Sequence, residues 1–153
     1  MKSKPYITRL ALFFLLLSLF WIGPLFAEDN PALAKVVAED VSIEMTEKWG
    51  IEVAAIHTSA AGNMVDFRYK VLDPKKAEAL FAKKTKPYLV HQKTGKVLAV
   101  PRTAKVGPLM SSYHPQQDRT YWMFFGNQSR LVQSGDKVTV VIGDFKAENL
   151  VVE

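Results

Sequence analysis

No cysteine occurs anywhere in the 153 residues. That absence excludes disulfide bonds, thiolate metal sites and anchoring through a lipid-modified cysteine, so apolar contact must hold the fold together. Histidine is nearly as scarce: there are three, His57, His91 and His114, and no two share a metal-motif spacing. Reaction signatures are missing too. The chain has no Gly-x-Ser-x-Gly, no His-Glu-x-x-His, no phosphate-binding glycine loop and no dinucleotide fingerprint. With no nucleophile and base in one motif, the sequence predicts neither catalytic residues nor a cofactor.

Excess charge is also small once the N-terminus is set apart. The chain carries 20 basic and 15 acidic residues, a balance of +5. Lys2, Lys4 and Arg9 fall in the first 27 residues, which contain no acid, so the remainder balances at 17 minus 15, or +2. A domain so nearly neutral gives no electrostatic case for nucleic acid as a partner.

What is present begins with those 27 residues. The three cations precede an apolar run from Leu10 to Ile22, broken only by Ser18, and Gly23-Pro24 and the small Ala27 follow. This is the layout of a secretory signal peptide, with cleavage expected after Ala27. The bulky Leu25, three places before the cut, departs from the small residue preferred there. The apolar run is shorter than the roughly 20 residues a spanning helix needs. If uncleaved, residues 10–27 would instead anchor the chain in the inner membrane, with the domain outside the cytoplasm. Membrane contact is expected only in that case. Residues 28–48 read as a linker or short helix, with Asn30-Pro31 as its start signal. Residues 49–153 read as one domain.

That domain has the pattern of a β protein, with runs rich in Val, Ile and aromatics separated by Gly, Asn, Asp and Pro. Strands are expected from Trp49 to Ser59 and from Met64 to Leu72, joined through Ala61-Gly62-Asn63. In the second, Val65, Phe67, Tyr69 and Val71 fall on one face and Met64, Asp66, Arg68 and Lys70 on the other, the wet one. Asp73-Pro74 is a helix start, and one short helix over residues 74–83 follows, with Ala77, Leu80 and Phe81 toward the sheet. A hairpin flanks Lys93-Thr94-Gly95. Residues 102–118 read as a long irregular loop, then Arg119 to Gly126 as the most aromatic strand. The chain ends in a strand from Lys137 to Phe145, a bend through Lys146–Glu148 and a strand from Asn149 to Val152. About seven strands with one helix fit an immunoglobulin-like antiparallel β-sandwich, with a small open β-barrel as the alternative.

The segments Trp49–Val53, Asp66–Pro74, Lys105–Leu109 and Val138–Leu150 together resemble an uncharacterised family of small exported bacterial proteins. The resemblance covers most of the chain after Lys48. It implies a bacterial, periplasmic setting and supplies no activity or site residue.

Three surfaces offer chemistry. Met110, His114 and Met123 are ligand types used for copper outside the cytoplasm, although Met is more often core filler. Asp66 and Arg68 share a strand face, where a charged pair is ordinarily just solvated. In the aromatic strand, Tyr121, Met123 and Phe125 oppose Trp122 and Phe124. A sandwich buries only one of those faces, so either the helix or the long loop covers the other, or it meets a partner. Tyr121, Trp122 and Phe124 are therefore the candidate partner-binding residues. Lys75, Lys76, Lys83, Lys84 and Lys86 read as a solvated helix face, and Asn127-Gln128-Ser129 matches a glycosylation acceptor. The sequence as a whole predicts a non-catalytic exported module, periplasmic or secreted. It would serve as an accessory or protein-binding partner of another envelope protein, with a periplasmic small-ligand or copper carrier as the alternative.

Overall fold

A computed structural model of the chain describes residues 42–82, 84–111 and 114–153. The expected leader, most of the 28–48 segment and the Lys83 end of the expected helix lie outside the described residues. Among the described residues no helix is long and apolar enough to cross a membrane.

The first element is a helix, α1, over residues 42–49. Met45, buried, and Trp49, packed on the core, stand four residues apart and so share one face of it. The Trp49 ring meets Phe145 edge-on at 5.6 Å. Trp49 was expected to open a strand; instead Gly50, at φ +63°, ends the helix by donating to the Thr46 carbonyl. Strand β1 then runs Ile51–Ser59 and pairs antiparallel with β2, Met64–Val71, from Ile51 opposite Val71 to Ser59 opposite Met64. The turn between them uses Ala60 (φ +50°) and Ala61 (φ +53°), where a β-carbon is disfavoured by about 1 kcal/mol each. Replacing Ala60-Ala61 with Asn-Gly should therefore raise stability by about 1–2 kcal/mol in urea unfolding.

Asp73 caps the next helix as expected: its carboxylate accepts from the amides of Lys75 (2.9 Å) and Lys76 (3.3 Å), ahead of Pro74. The α-helical part, α2, is only Pro74–Ala77, and a 3₁₀ turn over Glu78–Phe81 continues it. The helix thus ends before residue 83. The tighter turn buries Leu80 and sets Phe81 edge-on to Tyr121 at 4.8 Å.

Strands β3 (Tyr88–His91) and β4 (Val97–Ala99) form the expected hairpin over Lys93-Thr94-Gly95. The stretch read as wholly irregular contains a small hairpin, β5 (Arg102–Thr103) with β6 (Gly107–Pro108), too short to show in a hydrophobic pattern. The aromatic strand is β7, Thr120–Gly126. The final strands, β8 (Lys137–Ile142) and β9 (Phe145–Val151), are joined at Gly143-Asp144 rather than bent at Lys146–Glu148. The buried Phe145 opens β9; it does not close β8.

Among the described residues the fold is mainly β, in three antiparallel sheets ordered β1-β2-β7, β4-β3-β8-β9 and β5-β6, none of them closed into a barrel. Two short helices accompany them among those residues: α2, at the expected 74–83 helix, and α1, which overlaps the end of the segment read as a linker or short helix. Alternation decides the core: Val65, Phe67 and Tyr69 of β2 and Tyr121, Met123 and Phe125 of β7 are buried, as are Val138, Val140 and Ile142 of β8. Tyr69 stacks between Phe67 (5.7 Å) and Tyr121 (5.8 Å). Burial, and then the neighbouring Tyr121, push the Tyr69 hydroxyl well above its ordinary range. Beyond the strands, the Glu153 carbonyl and amide bond Thr58 and Ile56 on the β1 edge (3.2 and 2.9 Å). Residues 109–111 line the β7 edge through Phe124 to Leu109 (2.9 Å) and Ser111 to Trp122 (2.8 Å).

One polar side chain ties two turns. Asn127 is fully buried; its amide donates to the carbonyls of Gly62 (2.9 Å) and Val132 (2.8 Å), and its oxygen accepts from the Val132 amide (2.9 Å). An amide so placed is not a glycosylation acceptor, which corrects the reading of Asn127-Gln128-Ser129.

Candidate functional site

Cross-strand register assembles the site on the outer face of the β1-β2-β7 sheet. Asp66 lies opposite His57 on one side and Phe124 on the other. In the next rung outward, Arg68 lies between Ala55 and Trp122. Five side chains widely separated in sequence, His57, Asp66, Arg68, Trp122 and Phe124, thus share one patch, because side chains of the same strand face recur every second residue and line up across strands.

Asp66 does not behave as a solvated outer residue. It is only 2% exposed, although it belongs to the wet face. Its Oδ2 accepts from Arg68 Nε (3.0 Å) and Nη2 (2.9 Å) and lies 3.5 Å from His57 Nε2. The hydrogen bond and charge of Asp66 hold the Arg68 guanidinium above its ordinary pKa. Its Oδ1 is buried with no hydrogen-bond partner. A buried carboxylate oxygen left without a donor is unfavourable, and in a native protein it asks for a group to complete it. The covering side chains stay accessible: His57 is 37% exposed and Arg68 50%.

Trp122 flanks this pair. It is exposed at 39%, and its ring lies 5.3 Å from that of Phe124, tilted by 51°. Backbone contacts hold it in place, since its amide donates to the Ser111 hydroxyl (3.1 Å) and its carbonyl accepts from the Ser111 amide. The α2 segment does not cover this face. Its Phe81 packs instead with Tyr121 and Tyr69, on the inner side.

Neither protein-family models, curated proteins nor solved structures give a match. The site must therefore be read from its own chemistry.

Of the three aromatic candidates, the structure places Trp122 and Phe124 on the outer face and Tyr121 in the core. Tyr121 is fully buried, donates its hydroxyl to the His114 carbonyl (2.7 Å) and accepts from the Gln116 amide (2.9 Å). It pins the loop before β7 and offers no contact surface. The soft-metal candidates divide in a similar way. Met123 is buried, Met110 is bridged to it across the β7 edge and packs on the core, and His114 is exposed. His91 is buried, with Nδ1 2.9 Å from the Thr94 hydroxyl and Nε2 3.4 Å from Asp136. Among the lysines, Lys76 donates to the Glu47 carbonyl and links α2 to α1.

Sequence reasoning missed His57 and the burial of Asp66. The outward position of Asp66 was legible, but its cover comes from β1 and β7, and nothing local to β2 reveals that register. A cleft of about 560 Å³ lies elsewhere, between the β4 edge at Val97–Pro101 and the turn after β7 at Gln128, Ser129 and Leu131. Lys96 is the one charged residue of its lining.

Proposed function

We propose that the chain is a non-catalytic binding module exported to the bacterial envelope, and that the outer face of the β1-β2-β7 sheet is its contact surface. The observation that carries this reading is the exposed Trp122 with Phe124, set beside a buried Asp66 that has one unpartnered oxygen. Aromatic area with a polar group at its centre is the chemistry of a recognition surface. Among the described residues the carboxylate meets a histidine and an arginine but no nucleophile, which favours binding over reaction. The cationic, apolar leader supports export, and the near-neutral remainder supports a partner other than nucleic acid.

The finer fold reading belongs with this proposal. Two sheets ordered β1-β2-β7 and β4-β3-β8-β9 face a shared apolar core, and the chain crosses between them after β2, between β4 and β7, and after β7. This supports an immunoglobulin-like sandwich. Among the described residues, seven of the nine strands are three residues or longer, and these seven build both of these sheets.

Trp122→Ala separates a working surface from a structural one. Because the ring is well exposed, its loss should lower the melting temperature by no more than about 3 °C, within the small range of surface substitutions. Retention of the full chain by the envelope fraction should fall at least tenfold, a loss of about 1.4 kcal/mol or more. A variant that melts much earlier yet is retained as strongly as the parent would refute the proposal.

A further inference from the structure

We infer that the ligand of this face is a neutral saccharide, bound with one pyranose ring against Trp122 and a ring hydroxyl donating to Asp66. The inference rests on the proposal that the outer face is the contact surface, and it names what that surface contacts.

The polar groups choose among ligand classes. Asp66 Oδ1 can only accept, and it is buried without a donor. Arg68, half exposed, spends Nε and Nη2 on Asp66 Oδ2, which leaves the Nη1 donors unused by Asp66. The face therefore holds an accessible donor beside a buried acceptor, next to two aromatic rings. A phosphate or carboxylate only accepts hydrogen bonds, so it would satisfy Arg68 and be repelled by Asp66. An ammonium only donates, so it would satisfy Asp66 and be repelled by Arg68. An apolar surface would leave both without partners, at the cost of burying them. A sugar hydroxyl both donates and accepts, neighbouring hydroxyls can serve both groups at once, and the C–H face of the ring is an apolar surface fit to lie on the indole.

Reaching Oδ1 requires one cover to move aside. His57 is the more loosely held of the two polar neighbours of the carboxylate, at 3.5 Å from Oδ2, whereas Arg68 makes two bonds of 3.0 Å or less to it. Saccharide binding thus displaces the His57 ring and leaves the Asp66–Arg68 pair intact.

The test uses the full chain, titrated with cellohexaose, maltohexaose and the tetramer of N-acetylglucosamine, and with methylammonium chloride and inorganic phosphate as the two ionic classes. Tryptophan fluorescence and calorimetry report binding. At least one neutral saccharide should give a saturable signal below about 10 mM, and neither ionic probe should. Trp122→Ala should weaken the active saccharide about tenfold or more, and Trp122→Phe, which keeps a ring, should restore part of that loss. No saturable binding of any of the three saccharides overturns the inference, and so does binding of methylammonium or phosphate in their place. Envelope retention separates this failure from failure of the surface itself. If retention depends on Trp122 but is abolished by protease treatment of the envelope and not by glycan hydrolases, the face binds a protein and only the saccharide assignment falls. If retention does not depend on Trp122, both fall.

Discussion

Asn127→Ala should cost the folded chain about 4 kcal/mol, which for a domain of this size lowers the melting temperature by about 15–20 °C. The side chain is fully buried and makes three hydrogen bonds, to the carbonyls of Gly62 and Val132 and from the Val132 amide. Truncation leaves those backbone groups without partners in a site that excludes water, and each is penalised by about 1–3 kcal/mol. The two turns that Asn127 joins are strained already. Ala60, Ala61, Ser129 and Arg130 all hold left-handed backbone, and Arg130 packs over Gly62. Asn127→Asp should be at least as damaging, because a carboxylate would face two carbonyl oxygens where the amide now donates. Urea unfolding of both variants measures this, and a loss below about 1 kcal/mol for either would show that the two turns do not depend on the latch.

Gly50→Ala should cost about 3 kcal/mol, the second-largest effect. An added β-carbon would lie 2.8 Å from both the Asp73 β-carbon and its carbonyl oxygen, and 3.0 Å from the Lys76 β-carbon. The Gly50 carbonyl also accepts from the amides of Leu72 (2.7 Å) and Asp73 (2.9 Å), so this joint between α1 and β1 cannot move away without breaking the contact that seats the α2 cap. Left-handed backbone accounts for about 1 kcal/mol of the loss and forced overlap for about 2. Gly95 provides the control: it has the same backbone sense, φ +68°, with nothing within 4 Å of the added carbon. Gly95→Ala should therefore lose only the first contribution, and the difference between the two variants in thermal or urea unfolding isolates the overlap.

The parts of the fold that were legible in the sequence are those with a local physical cause. The alternation of β2 placed Val65, Phe67, Tyr69 and Val71 inward, and all four are buried. Asp73-Pro74 started a helix because a carboxylate followed by proline satisfies the first helical amides wherever it occurs. The errors came where chain sense depends on backbone that apolar residues do not advertise. Gly50 turned Trp49 from a strand residue into the last turn of a helix, and Gly143-Asp144 moved Phe145 from the end of one strand to the start of the next. The same distinction governs the site. Trp122 and Phe124 could be assigned to the face opposite Tyr121 up to a choice of side, which the packing of Phe81 on Tyr121 decides. The encounter of His57 with Asp66 depends on the register of β1 against β2. That register is shifted by an irregularity between Val53 and Ala55, and no pattern within either strand announces it.

Nuclear magnetic resonance of the full chain, titrated with the most active neutral saccharide, tests the central claim most directly. Shifts should gather at the indole N–H of Trp122, the ring nitrogens of His57 and the backbone amides of Asp66, Arg68 and Phe124, while the amides lining the cleft at Val97–Pro101 stay in place. Shifts centred on that cleft, or none on the outer face of the β1-β2-β7 sheet, would contradict it.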